Sequence, residues 1–334
     1  MIKNQENFSA GIGNTPLIKL KAASEITGCN IYGKAEFLNP GGSVKDRAAL
    51  ALIKDAQDKK LISKGGTVVE GTAGNTGIGL GLLGNSLGYK TIIVMNDNQT
   101  QEKKDILKNL GAELKLVPAK PFKDENNYVK VASRLADELR PNNNNGVIWA
   151  NQFDNTANAK GHYEGTGKEI WDQTDGKVDA FICSSGTGGT ISGVSNALKE
   201  KNKDIKIYLS DPKGSSLYNY IKHSELKSEG NSITEGIGSS RITKNFENAK
   251  IDDAFSIDDH EALPILYDLI KNEGLSLGTS CGINIAGAIR LGKELGPGKT
   301  IVTILCDKSD KYASKMFNKK FLDEKGLNYP DWIK

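Results

Sequence analysis

"TVVEGTAGNTGIGLGLLGNSLGYKTIIVM", residues 67–95, reads as a strand, a small-residue turn, a helix and a second strand. The run "TVVE" (67–70) is short, apolar and β-branched, as in a buried strand, and "KTIIVM" (90–95) repeats that pattern. The residues between them, 74–86, carry apolar and small side chains at helical spacing. Two strands joined through a helix run parallel, because the crossover returns the chain to the end it left. Outward from this unit the same alternation continues. Further strands are predicted at 31–37, 113–117, 146–150, 178–183, 205–210 and 300–305. Helices are predicted near 44–59, 101–110, 127–139, 157–172, 188–199, 259–273 and 281–294. The class is therefore α/β, with parallel sheets wrapped by helices. In such folds ligands gather at the carboxyl ends of strands, so the loops that follow strands carry the chemistry.

The 334 residues suggest about two domains. The polar "RPNNNNG" stretch (140–146) reads as a hinge-like border, and "VPAKPFKDENN" (117–127) as an exposed loop. Basic and acidic residues number 44 and 41 and are dispersed, which argues against nucleic acid or an anionic membrane as partner. Cys29, Cys183, Cys281 and Cys306 form no C-x-x-C pair, and with three histidines no metal site is expected. No apolar run approaches the ~20 residues of a membrane span, and "MIKNQENFSAGIGNTP" lacks the apolar core of a signal peptide. A cytoplasmic, reduced protein is expected.

Four loops stand out. "NPGGSVKDRAAL" (39–50) turns through two glycines into a helix, with Ser43 as the expected N-cap. Lys45 then falls in the first helical turn, at the positive end of the helix dipole, where a cation is mildly unfavourable. It is either a solvated surface lysine or an amine whose charged form is disfavoured so that it can attack a carbonyl. "GTAGNTGIGLG" (71–81) suits a carboxylate held by backbone amides with Thr72, Asn75 and Thr76. Its glycine order is wrong for a dinucleotide fingerprint. "SSGTGGTISG" (184–193) opens another helix, and its composition suits a phosphate monoester; it lacks the lysine of a nucleotide-triphosphate loop. "TSCGINIAGAI" (279–289) offers Ser280, a partner for a ring or a plain cap, and Cys281, which reads as a small buried thiol. An amine, a phosphate cradle and ring contacts together are the needs of pyridoxal phosphate.

With these motifs, "IGNTPLIKL" (12–20), "NQFDNTANAKGHYEGTGKEIW" (151–171), "EGIG" (235–238) and "TILCDKSDKYASK" (303–315), the chain resembles the cysteine synthase and cystathionine β-synthase family. The resemblance implies a fold type II pyridoxal-phosphate enzyme, tryptophan synthase β-like, with two doubly wound domains and mainly parallel sheets. It implies a larger domain of residues 1–38 and 151–334 holding the phosphate, a smaller mobile domain of 39–150 carrying the Schiff-base lysine, and an active site in the cleft. Carried over residue by residue, Lys45 is that lysine and Asn75 meets the ring oxygen. Gly186, Thr187, Gly188, Gly189 and Thr190 hold the phosphate, and Ser280 meets the pyridine nitrogen. Thr72, Ala73, Gly74, Asn75, Thr76 and Gln152 surround the substrate carboxylate, with Gly236 beside them.

The chain departs from the commonest cysteine synthase pattern in three ways. Ala73 replaces a serine, Glu235 replaces the glutamine of "QGIG", and "LCDKSDKY" (305–312) replaces a proline-serine-serine-glycine run. Glu235 is expected to act on the acceptor. In these features the chain is most similar to the bacterial subgroup of cysteine synthases with L-cysteine desulfhydrase activity. The implied reaction is β-elimination or β-replacement at L-cysteine or an activated serine through an aminoacrylate, releasing hydrogen sulfide. The alternative is an O-acetylserine sulfhydrylase, and a more distant one is a non-catalytic ligand- or peptide-binding member of the fold. The resemblance also implies small amino-acid substrates (L-cysteine, O-acetylserine, serine or homocysteine), a homodimer and a serine acetyltransferase partner.

Overall fold

A computed structural model describes residues 8–72 and 74–334. Among them the chain forms strands β1 (Leu17–Lys19), β2 (Asn30–Ala35), β3 (Thr67–Gly71), β4 (Lys90–Asn96) and β5 (Glu113–Val117). After these come β6 (Val147–Trp149), β7 (Ala180–Cys183), β8 (Lys206–Pro212), β9 (Asp253–Ile257) and β10 (Thr300–Leu305). They divide between two compact units, one of residues 8–13 with Asn39–Gly161, the other of Asn14–Leu38 with His162–Lys334.

The first unit holds a parallel sheet in the order β5-β4-β3-β6. Every residue of β3 is buried, as expected of a parallel strand covered on both faces. Neighbouring residues of β3 serve opposite faces. Val68 packs with Leu52 and Ile53 of helix Lys45–Asp58 and Leu80 and Leu83 of helix Asn75–Leu87. Val69 packs with Ala132 and Ala136 of helix Tyr128–Leu139. This is the doubly wound arrangement, and it leaves both loop-to-helix turns, before Lys45 and before Asn75, directed by one core. The exposed Glu113 and the half-buried Lys115 follow the pattern of an edge strand in β5.

The second unit holds the order β1-β2-β10-β7-β8-β9, parallel except for β1, which runs antiparallel to β2. Ala180, Ile182, Ile301 and Leu305 pack with Cys281, Ile285 and Ala288 of helix Thr279–Leu295. On β2, Lys34 is fully buried. Its ammonium donates to the Thr15 carbonyl and to Gln173 Oε1 at 2.9 Å, and pairs with Glu169 Oε2 at 2.6 Å. The other oxygen of Glu169 accepts from the Asn14 amide at 3.0 Å, so one buried charge ties the chain's early segment to helix Lys168–Gln173.

The eight predicted strands are present with small shifts at their ends. β1 and β9 have no counterpart in the sequence reading: each is an edge strand, one of three residues and one only partly buried, too short or too mixed for a clear pattern. The single helix expected over 157–172 is Ala157–His162, a π-helical turn Tyr163–Gly167, and Lys168–Gln173. The border between units falls at 161/162, not at 150. "RPNNNNG" is no border. It forms a 3₁₀ turn, Arg140–Asn142, leading into β6 of the same unit. Residues 151–161 stay with the first unit because the Asn151 amide donates to Glu70 at 2.7 Å and Thr76 Oγ1 donates to Gln152 at 2.6 Å. Among the described residues no helix is long and apolar enough to cross a membrane.

Candidate active site

In the first unit, the turn before Lys45 is closed by Asp46. Its carboxylate, buried in the first turn of helix Lys45–Asp58, accepts from the Gly41 amide at 2.6 Å. An anion there is favoured by the helix dipole. The cap residue by backbone geometry is Val44 rather than Ser43, although the buried Ser43 hydroxyl does accept from the Lys45 amide at 3.2 Å. Lys45 is half-buried, and its ammonium makes no hydrogen bond or ion pair among the described residues. An amine so placed, with no internal partner, is available to a carbonyl compound.

Beyond β3, Thr72 is buried, its amide donating to the Val94 carbonyl at 3.0 Å and its hydroxyl accepting from the Gly74 amide at 3.2 Å. Gly74 faces open space, with nothing within 4 Å of where a side chain would begin. Asn75 and Thr76 start the following helix, and the Thr76–Gln152 bond unites two residues predicted for one role from positions far apart in sequence. Ala73 lies outside the described residues. Beneath this loop sits Glu70, fully buried. Burial outweighs the hydrogen bonds it accepts, led by the Asn151 amide, and raises its pKa from 4.5 to about 8. At neutral pH it is an uncharged prop.

In the second unit, the loop after β7 forms an anion cradle. Gly188, with φ +88°, precedes helix Gly189–Lys201, and a Cβ there would lie 2.5 Å from the Phe246 amide nitrogen. At Gly186 a Cβ would lie 2.3 Å from the Gly236 carbonyl oxygen. Only glycines allow the chain to pass so close. The amides of Gly186, Gly188 and Thr190 donate to no acceptor among the described residues, and they converge with the helix's positive end. The Thr187 carbonyl is held by the Thr243 hydroxyl at 2.7 Å, and the Gly189 amide donates to the Thr187 hydroxyl at 3.3 Å. Ser280 is buried in the first turn of helix Thr279–Leu295 and has no side-chain hydrogen bond among the described residues. These orphan donors and the free hydroxyl fit the phosphate and ring of pyridoxal phosphate.

Three further residues matter that sequence reasoning did not single out. Buried Asn284 accepts from the Ser184 amide at 2.7 Å and donates to the Ile304 carbonyl at 2.7 Å, locking the Ser280 helix to the start of the phosphate loop and to β10. Buried His162 lies 2.8 Å from Thr166 Oγ1 through Nδ1 and 3.2 Å from Thr190 Oγ1 through Nε2. For the Thr190 hydroxyl to give its proton to a phosphate, His162 must carry its own proton on Nε2. The only sequence signal was a histidine four residues before a threonine. Lys315 is the third: it pairs with Glu235 at 2.6 Å and donates to the Ile233 carbonyl at 3.0 Å. Glu235, expected as an acting carboxylate, is thus engaged by a cation. The neighbouring Gly238 amide donates to the Ser185 carbonyl at 2.8 Å, so the "EGIG" segment rests on the phosphate loop. Cys281 is fully buried, and burial pushes its thiol well above the ordinary range, as befits a packing residue.

Residues 8–307 match the family model described as pyridoxal-phosphate dependent enzyme. A cysteine synthase 1 of Emericella nidulans is 50% identical over 325 residues, covering 96% of this chain and 86% of that protein. A cysteine synthase 1 of Neurospora crassa is 48% identical over 327 residues with the same coverage. A solved structure of a hydrogen sulfide-producing enzyme from Fusobacterium nucleatum matches with TM-score 0.82 and 33% identity, covering 93% of this chain and 99% of that one.

Proposed function

The chain belongs to the family of pyridoxal-phosphate dependent enzymes, and from that premise we propose that it is a cysteine synthase, forming L-cysteine and acetate from O-acetylserine and sulfide. The sequence reading ranked the cysteine lyase first, largely on a carboxylate free to act at position 235. The observation that favours the synthase is the Lys315–Glu235 ion pair, which removes that free carboxylate. The similarity to fungal cysteine synthases points the same way. The lyase remains as a second reading because a structural neighbour is named as hydrogen sulfide-producing.

When bound, the cofactor supplies an aldehyde carbon for an amine and a ring that draws electrons from the substrate's α-carbon. The Gly186–Thr190 cradle would hold its phosphate, Asn75 its ring oxygen, and Ser280 its ring nitrogen. A hydroxyl at Ser280, unlike a carboxylate, does not force a proton onto that nitrogen. Lys45 would hold the aldehyde at rest, then, released by the incoming amino acid, take the α-proton as general base and later return it. Thr72, Asn75, Thr76 and Gln152 would bind the substrate carboxylate. The protonated state of Glu70 suits that task, since a second carboxylate charge behind the loop would repel the first.

The test is product analysis of the purified holoenzyme. Cysteine formation from O-acetylserine plus sulfide is expected to exceed sulfide release from L-cysteine alone. Brisk sulfide release with little synthesis overturns the proposal in favour of the lyase. A homodimer and a serine acetyltransferase partner belong to the same reading; sedimentation and co-purification with an added acetyltransferase check them.

A further inference from the structure

Segment 232–238 is held from three sides. Asp259, at the start of helix Asp259–Asp268, accepts from the Ile233 amide at 2.7 Å and from the Ser232 hydroxyl at 2.6 Å. At the other end the Ser185 carbonyl accepts from the Gly238 amide at 2.8 Å. Lys315 provides the third hold through the Ile233 carbonyl and Glu235. The first two already anchor the backbone at both ends, so the ammonium–carboxylate contact contributes something other than placement. It cancels the only acidic charge in the segment.

That charge stands one residue from Gly236, whose carbonyl oxygen lies over Gly186 of the phosphate cradle. Gly236 has φ +77° and nothing within 4 Å of where its side chain would begin, so this side of the segment is open. The side chains of Glu235 and Lys315 are 31% and 28% exposed, so an ion passing this side would feel whatever net charge they leave. Sulfide near neutral pH is largely the hydrosulfide anion, whereas O-acetylserine is a zwitterion with no net charge. An uncompensated carboxylate would oppose the first and not the second.

We propose that Lys315 determines acceptor specificity by neutralising Glu235, so that an anionic sulfur nucleophile can approach the cradle side of the "TEGIG" segment. The inference rests on the cysteine synthase reading above. A single unpaired charge several ångströms from the path, partly screened by solvent, corresponds to roughly a three- to tenfold change in the effective binding of an anion.

The experiment compares wild type, Lys315→Met, Lys315→Arg and Lys315→Met/Glu235→Gln as holoenzymes. In Lys315→Met the KM for sulfide is expected to rise about three- to tenfold, shrinking at high salt. The KM for O-acetylserine and the cofactor affinity of the apoprotein, read by absorbance titration, stay at the wild-type value. Lys315→Arg behaves as wild type, and Glu235→Gln in the Lys315→Met background restores the low KM for sulfide. An unchanged KM for sulfide in Lys315→Met overturns the inference. So does an equal rise for both substrates that the double variant fails to reverse, the mark of a merely structural brace. Wild type that makes no cysteine overturns the functional reading and this inference with it.

Discussion

Lys45→Ala is expected to lower turnover by about 10²–10⁴-fold, the range that a positioned proton-transfer group contributes. Borohydride reduction of the wild-type holoenzyme leaves the chromophore covalently on a peptide containing Lys45; in the variant no peptide carries it. The reason lies in how the chain presents this side chain. The Gly41–Asp46 bond and the Ser43 hydroxyl fix the turn, and the amine emerges from the first helical residue with no internal partner. The variant should still bind the cofactor, because the cradle at Gly186–Thr190 does not depend on the lysine. Peptide mapping with steady-state rates reads both effects. Normal turnover, or a chromophore fixed to another lysine, would make Lys45 an ordinary surface residue.

The second large effect is on stability. Lys34→Met is expected to destabilise the protein by about 3–5 kcal/mol, as breaking a buried ion pair does when one charge is left behind. Glu169 would keep its carboxylate, and the Thr15 carbonyl and Gln173 would lose a donor. Methionine matches the lysine stem in length, so lost packing is a minor part of the change. Adding Glu169→Gln should recover much of the loss, because the stranded charge is then gone. The midpoint of thermal unfolding measures both variants. A Lys34→Met protein that melts with wild type would show that the buried pair contributes nothing net.

Most of the sheet order's raw material was legible because parallel strands buried on both faces are continuous apolar runs, as in β3, β4 and β10. Edge strands β1 and β9 escaped because half-exposed residues carry no such run. The helix around 157–172 read as unbroken because a π-helical turn changes hydrogen bonding by one residue without changing composition. Of the site, the glycine turns and the lysine were visible: close backbone approach requires glycine, and a helix start after a strand is a local pattern. The Ser43 cap was nearly right, since its hydroxyl does meet the first turn, although Val44 holds the cap geometry.

By itself, the sequence determined the α/β class, the loops that carry chemistry, the amine at Lys45 and the phosphate cradle, and through them the cofactor. Each is written in a few consecutive residues whose spacing or backbone freedom allows one arrangement. Only the tertiary structure decided what those residues are next to. Thr76 meets Gln152, His162 meets Thr190, Asn284 spans Ser184 and Ile304, and Lys315 takes hold of Glu235. A pairing across tens of residues depends on which strands become neighbours, and no local pattern encodes it. The same carboxylate therefore reads as an acting base in "TEGIG" and becomes half of an ion pair once the chain is folded.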